Sequence, residues 1–342
     1  MKAIAYQQAL PIDNDQALLD ITLPEPVATG RDLLVEVKAI SVNPVDTKVR
    51  RSMTPPAGEY KVIGWDATGI VRATGEHTSL FKVGDRVWYA GSLTRPGANS
   101  ELHLVDERIV GHMPYSLDFA QAAALPLTTI TAWELLFERL QLSKKSDPSA
   151  KSHADDALLI VGAAGGVGSI MIQLARQLTD ITVIATASRP ETRSWVHELG
   201  AHQIIDHSKP LSQELKAIGI PNVRYIAGLN QSDKHYTEMV EAIAPQGRLA
   251  LIDDPDQLDV RLLKRKSASL HWEFMFTRAM FETPDMQKQH DLLNETARLI
   301  DSKTIRSTVG EHFGTINAAN LRRAHALLES NTAKGKIVLE GF

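Results

Sequence analysis

Gly165, Gly166 and Gly168 follow directly on an apolar run and could hold a phosphate. The run Ala157-Leu158-Leu159-Ile160-Val161 has the composition of a buried strand, and Ala163-Ala164-Gly165-Gly166-Val167-Gly168 turns it into the next segment. Backbone N–H groups at a helix N-terminus can grip a pyrophosphate only where side chains leave the approach open. Gly165 permits that approach, and Gly168 lets the helix pack closely on its strand. Behind the turn, Ile170, Leu174 and Leu178 recur at fourfold spacing with Met171 and Ala175 beside them, which is one face of a helix. Strand, turn and helix therefore come in the order of a dinucleotide-binding fingerprint. The pattern departs from Gly-x-Gly-x-x-Gly by placing Ala163 where the first glycine belongs, so an ordinary strand-to-helix turn is the competing reading. The agreement of the flanking periods favours the cofactor.

The elements that must position this turn are spread over 342 residues, more than one hydrophobic core usually spans, so two domains are expected. With 43% hydrophobic and 23% charged residues the composition is that of a soluble globular protein. No run reaches the roughly twenty apolar residues of a membrane span, and Met1-Lys2-Ala3-Ile4-Ala5-Tyr6-Gln7 lacks a secretory apolar segment, so a cytoplasmic protein is expected. A formal net charge of −4, with Lys264-Arg265-Lys266 as the densest basic run, argues against nucleic acid as a partner. The absence of cysteine excludes disulfides, thiolate zinc sites and a cysteine nucleophile.

Residues before Ala120 read as β-rich, with segments such as Leu33 to Ala39 and Asp85 to Tyr89 between Gly, Pro and Asn turns. Helical spacing runs from Ala120 to Leu140. The polar stretch Ser143 to Asp156 reads as a surface loop. Beyond it strands (Ala157 to Val161, Thr182 to Ala185, Gln203 to Ile205, Gly247 to Ile252) alternate with helices (to Leu178, and Glu191 to Leu199), which predicts a doubly wound parallel sheet. A closing helix, Asn317 to Glu329, precedes a strand, Lys336 to Glu340, that is expected to return to the N-terminal β-rich part, because an isolated strand needs partners.

Several fragments in this order (Ser41-Val42-Asn43-Pro44-Val45-Asp46, Gly64-Trp65-Asp66-Ala67-Thr68-Gly69, Val83-Gly84-Asp85-Arg86-Val87, Leu125 to Trp133 and the glycine turn) closely resemble the medium-chain dehydrogenase/reductase superfamily, in its zinc-free quinone oxidoreductase branch. The resemblance implies an α/β protein in which a GroES-like β-rich catalytic domain, residues 1–126 completed by 304–342, surrounds a Rossmann domain, residues 127–303. Where zinc-dependent relatives carry cysteine and histidine ligands, this chain has Asn43, Trp65 and Leu127, and a zinc-dependent mechanism is not expected.

NAD-preferring Rossmann domains place an acid after the second strand. Ala187 stands there, followed by Ser188 and Arg189, with Arg193 as a further cation, so NADPH is the expected cofactor, with dual cofactor use the alternative. Hydride addition to a conjugated system spreads charge and asks less of a metal-free protein than stabilising an alkoxide. The resemblance agrees and implies reduction of a quinone or an α,β-unsaturated carbonyl, with Asn43, Asp46, Trp65, Thr129 and Thr131 orienting substrate and nicotinamide. Asn43 is expected to donate to a substrate oxygen, Asp46 to act or to hold its loop, and Trp65 to form an apolar wall or a core contact. Tyr60, ending the loop Arg50 to Tyr60, is a candidate proton donor. Leu270, Trp272, Phe274 and Phe276 alternate as in a strand, and relatives use an equivalent edge to pair subunits and approach the nicotinamide, so a homodimer is expected. A non-catalytic NADPH-binding regulatory or structural protein and a zinc-dependent alcohol dehydrogenase are the rival readings.

Overall fold

The computed structural model describes residues 1–147 and 156–342, so most of the polar stretch before Ala157 lies outside the described residues. The chain forms two compact units, residues 1–130 with 276–342, and residues 131–275.

The first unit holds β1 (Lys2–Tyr6), β2 (Leu19–Thr22), β3 (Asp32–Val42), α1 (Pro44–Ser52), β4 (Lys61–Val62), β5 (Ala67–Thr74), β6 (Arg86–Tyr89), β7 (Leu102–Asp106), β8 (Val110–His112) and α2 (Phe119–Ala123). The helix α3 (Pro126–Glu134) follows, continued by a π-helical turn, Leu135–Arg139. In β3 the residues Leu33, Val35 and Val37 are buried and their neighbours are less so, the period of two that lays one strand face on a core. Its sheet runs β8-β6-β5-β3 and then continues onto the C-terminal strands given below. The stretch expected as a loop from Arg50 begins three residues later, because Pro44 opens α1 at a position where proline is pre-organised and Asp46 caps its first turn.

The second unit is the parallel sheet: β9 (Ala157–Val161), α4 (Gly166–Leu178), β10 (Thr182–Thr186), α5 (Pro190–Glu198), β11 (Gln203–Ile205), α6 (Leu211–Ala217), β12 (Val223–Gly228), α7 (Ser232–Ala242), β13 (Ile243–Leu251) and β14 (Ser269–Trp272). The order β11-β10-β9-β12-β13-β14, parallel throughout, is that of a Rossmann fold, with the reversal between β9 and β12. All five residues of β9 are buried, as a central strand covered on both faces requires. The strand expected to run through Phe276 stops at Trp272. Its partner β13 ends at Leu251, and the last ladder bond between the two strands is Glu273 N–H to Leu251 O at 2.9 Å.

The chain then gives α8 (Thr277–Phe281), α9 (Lys288–Asp301), β15 (Val309–His312), α10 (Ala318–Glu329) and β16 (Lys336–Glu340) to the first unit. As expected, β16 returns to the β-rich part, lying antiparallel to β3 with Ile337 opposite Val42, and β15 pairs beyond it. Residues 276–303, expected in the Rossmann domain, belong instead to the first unit. The buried face of α9 carries Leu292, Leu293 and Ile300, Asn294 Oδ1 accepts from His112 N–H at 2.8 Å, and a Cβ on Gly111 would lie 2.6 Å from Leu293 Cβ. No helix among the described residues is long and apolar enough to cross a membrane. Truncating Leu293, fully buried under β8, to alanine is expected to lower stability by about 2–5 kcal/mol in urea denaturation; a surface-like loss of under about 0.5 kcal/mol would show that α9 does not belong to this core.

Candidate functional site

Asn43 leaves β3, Trp65 and Asp66 precede β5, and Lys336 opens β16. The register that sets Ile337 against Val42 delivers Lys336 to Asn43 from the other end of the chain. Its ammonium donates to Val42 O at 2.9 Å, to Asp66 Oδ2 at 3.1 Å and to Asn43 Oδ1. Asn43 Nδ2 donates to Asp66 Oδ2 at 3.0 Å and to Trp65 O at 3.3 Å, and Leu127 N–H donates to Asp66 Oδ1 at 2.9 Å. All three side chains are buried. Burial pushes the Asp66 carboxyl up and the Lys336 ammonium down from their ordinary values, and each charge opposes the shift of the other. The amide hydrogens of Asn43, expected to face a substrate oxygen, are committed to this network.

Asp46 Oδ2 accepts Asn43 N–H at 2.7 Å, so this carboxyl holds the start of α1. Burial, only partly offset by that hydrogen bond and by Lys336, pushes Asp46 up to about 7. Trp65 is a core residue: its Nε1–H donates to Ser92 O at 3.1 Å, and its ring meets Phe276 edge-on with centroids 6.2 Å apart. Thr129 is fully buried, with Oγ1 lacking a hydrogen-bond partner among the described residues. Tyr60 stands apart from these groups, 45% exposed just before β4.

The positions matching zinc ligands in relatives therefore hold an amide locked to a carboxylate, an indole N–H donor and an alkyl chain, with an ammonium already on Asp66. Among the described residues no three His, Cys, Asp or Glu side chains are grouped to hold a metal. This donor set does not fit zinc.

In the Rossmann unit the left-handed turn falls on Gly162, at φ +84°, one residue ahead of the position where Ala163 replaces the expected glycine. Gly162 N–H donates to Thr186 Oγ1 at 3.1 Å, tying the end of β9 to the end of β10. Gly165 caps α4 with no side-chain hydrogen bond, so the first N–H groups, those of Gly166, Val167 and Gly168, have no capping side chain. A Cβ at Gly165 would meet nothing nearer than Gly162 O at 3.5 Å, whereas one at Gly168 would lie 2.4 Å from Ala163 O. Gly168 thus serves packing, and Gly165 keeps the approach clear over Ala163 and Ala164. These residues fit a bound pyrophosphate.

At the end of β10, Ala187 is buried and Ser188 exposed. The Arg189 side chain is 42% exposed beside Glu191 at 3.2 Å. Arg193 donates to Ala187 O at 3.1 Å and Ile204 O at 3.3 Å. Thr131 is buried on α3, and Phe274 lies beyond β14, 47% exposed. The neighbouring Glu273 is buried, accepts from Arg139 Nε at 2.7 Å, and is pushed up to about 9 by burial and then by Glu134. Residue reasoning missed Lys336 and Asp66 as members of the polar network. A lysine at the head of a short apolar strand carries the pattern of a solvated edge, and only the Gly-Trp-Asp fragment hinted at Asp66.

Residues 29–115 match the alcohol dehydrogenase GroES-like domain family, and residues 199–339 match the zinc-binding dehydrogenase family. A Staphylococcus epidermidis protein described as a zinc-type alcohol dehydrogenase-like protein is 37% identical over 99% of both chains. A solved structure from Rhizobium etli CFN 42 is 58% identical, covering 100% of this chain and 98% of its own, with a TM-score of 0.95. The Escherichia coli quinone oxidoreductase complexed with NADPH is 25% identical, covers 99% of this chain and 100% of its own, and has a TM-score of 0.81.

Removing one partner of a buried ion pair strands the other charge. Lys336→Met is therefore expected to cost about 3–5 kcal/mol in chemical denaturation, with K336M/D66N recovering part of the loss. Equal stability of the single and double variants would show that Lys336 and Asp66 are not coupled. Asp46 keeps its proton up to about pH 7 in the fold but only to about 3.8 when unfolded, so the fold binds more protons between these values and loses stability as pH rises through that window. The stability of D46N relative to wild type is expected to rise over the same window, and a flat difference would contradict the raised Asp46.

Proposed function

Because the chain belongs to the medium-chain dehydrogenase/reductase superfamily and resembles its quinone oxidoreductase branch, we propose that it reduces quinones or α,β-unsaturated carbonyls with NADPH and without a metal. The observation that carries the reading is the commitment of Asn43 and Asp66 to the Lys336 ammonium, which occupies the donors that a catalytic metal would need. Without a Lewis acid, an acceptor whose own π-system spreads the incoming charge is the chemistry within reach. The Staphylococcus epidermidis relative is described as zinc-type, but the donor set of this chain favours the metal-free reading.

A bound dinucleotide supplies a hydride, and a proton from water or a protein hydroxyl completes the two-electron reduction to a hydroquinone or a saturated carbonyl. The backbone N–H groups of Gly166, Val167 and Gly168 hold the pyrophosphate, and the clear space over Gly165 admits it. Arg189 and Ser188, with no acid at Ala187, favour a 2′-phosphate. Arg193 secures the strand ends through Ala187 and Ile204. Thr131 and Phe274 orient the nicotinamide, and Thr129 Oγ1, without a hydrogen-bond partner among the described residues, is the hydroxyl available to a carbonyl oxygen. The exposed Trp272 on β14, the edge strand of the Rossmann sheet, favours pairing with a second copy.

NADPH oxidation is expected with a panel of quinones and enones in metal-free buffer. Tight NADPH binding without turnover of any acceptor would favour a binding protein, and activity restored only by zinc would favour an alcohol dehydrogenase. Gly165→Val is expected to fold normally and to bind NADPH at least about tenfold more weakly, since its side chain enters the phosphate approach; unchanged affinity would remove the turn from the cofactor site.

A further inference from the structure

Three charged side chains that the cofactor reading leaves unused meet inside the Rossmann unit. Glu134 ends α3, Arg139 ends the π-helical turn that continues it, and Glu273 follows β14. Both glutamates are buried, and Arg139 reaches both: its Nε–H donates to Glu273 Oε2 at 2.7 Å, and Nη2 lies 4.0 Å from Glu134 Oε2. The π-helical turn makes this possible. An α-helix completes a turn in about 3.6 residues, so a side chain five positions on points well round from the first. The bond from Leu140 N–H to Leu135 O at 2.8 Å closes a turn over five residues instead, which brings Arg139 back toward Glu134.

A single arginine does not satisfy two buried carboxylates. Glu273 Oε1 is buried and has no hydrogen-bond donor among the described residues, while the Glu134 carboxyl stands within hydrogen-bonding reach of Glu273. Two carboxylates in contact repel, and a proton held between them removes one charge and supplies the missing donor at once. Burial, and then the charge of Glu134, push the Glu273 carboxyl well above the usual carboxylate range, against the opposing charge of Arg139. His271 on β14 is a further titratable neighbour of Arg139. Burial, then the charges of Arg248 on β13 and of Arg139, lower its pKa, so it is neutral over the alkaline range in which the acids lose their proton.

Placement in the fold gives the pair a task. Glu273 directly precedes Phe274 at the carboxyl end of a parallel strand, where ligands of such sheets bind, and Glu134 lies three positions beyond Thr131, on the same side of α3. We propose that Glu134 and Glu273 share a single proton, and that this acid pair is a positioning device, holding the segments that carry Thr131 and Phe274 in the arrangement the nicotinamide requires. The proposal rests on the cofactor reading above. With the proton in place the carboxyls hold each other and Arg139. Without it they repel, the two segments part, and only the protonated fraction of the protein is competent to bind the dinucleotide.

Two measurements on wild type, E273Q and E134Q test this: NADPH dissociation constants from the fluorescence of the dinucleotide, and urea denaturation of the free protein. Wild-type NADPH binding is expected to weaken about tenfold from about pH 8 to about pH 10, as the pair titrates at about 9. Either amide supplies a hydrogen at every pH, so E273Q and E134Q are each expected to hold their affinity within about twofold over that range, and one serves if the other does not fold. In the free protein Glu273 keeps its proton to about 9 when folded and to about 4.5 when unfolded, so wild type is expected to lose stability relative to E273Q as pH rises between these values. A flat stability difference would overturn the shared proton. A wild-type affinity that stays constant, or that declines in parallel in both variants, would overturn the positioning role and leave the cofactor reading standing. A wild type that does not bind NADPH at about pH 7 would overturn the cofactor reading and the positioning role together, with the shared proton still read from the stability difference.

Discussion

Among the described residues, the ammonium of Lys336 meets only Val42 O, Asn43 Oδ1 and Asp66 Oδ2. A charge taken out of water at such a place costs several kcal/mol unless its partners are in position, so the network tolerates little displacement. That demand fixes the register of β16 on β3, because a slip of one residue would turn Lys336 to the opposite face and bring an apolar neighbour to the carboxylate. It also fixes the orientation of the Asn43 amide, and through Asn43 N–H the carboxyl of Asp46 and the first turn of α1. One internal cation thereby joins the last strand to a loop near the other end of the chain. It stands on the residues that a metal would otherwise need.

The Rossmann unit is organised by a constraint of the opposite kind, the absence of side chains. Gly162 supplies the left-handed backbone that ends β9, Gly168 lets α4 pass within contact of Ala163, and Gly165 leaves the helix N-terminus open. The helix starts beside the point where the strand order reverses, which is where an open parallel sheet leaves a crevice for a ligand. The neighbouring strand β10 leads into Arg189, α5 carries Arg193, and position 187 is alanine rather than an acid. Anion-holding backbone and basic side chains thus come from the same end of one sheet.

Much of this was legible in the residues. The apolar run of β9, the fourfold spacing of α4, the alternation of strands and helices beyond Ala157 and the return of β16 to the β-rich part all follow from local periodicity and from the need of every strand for a partner. Local patterns failed where non-local pairing decides. Alternating aromatics continue past Trp272, but β13 ends and the strand ends with it. The helix α9 has an amphipathic pattern that would suit either unit, and the gap left by Gly111 opposite Leu293 assigns it to the first.

The sequence by itself determined the two-part α/β organisation, the phosphate-ready turn and the lack of thiolate ligands, because each depends on residue type and short-range spacing. Only the tertiary structure decided that Lys336 is an internal cation and that Asn43 and Asp66 are committed to it. Partners far apart along the chain leave no periodic trace, and whether a charged side chain is solvated or paired is settled only when distant strands meet.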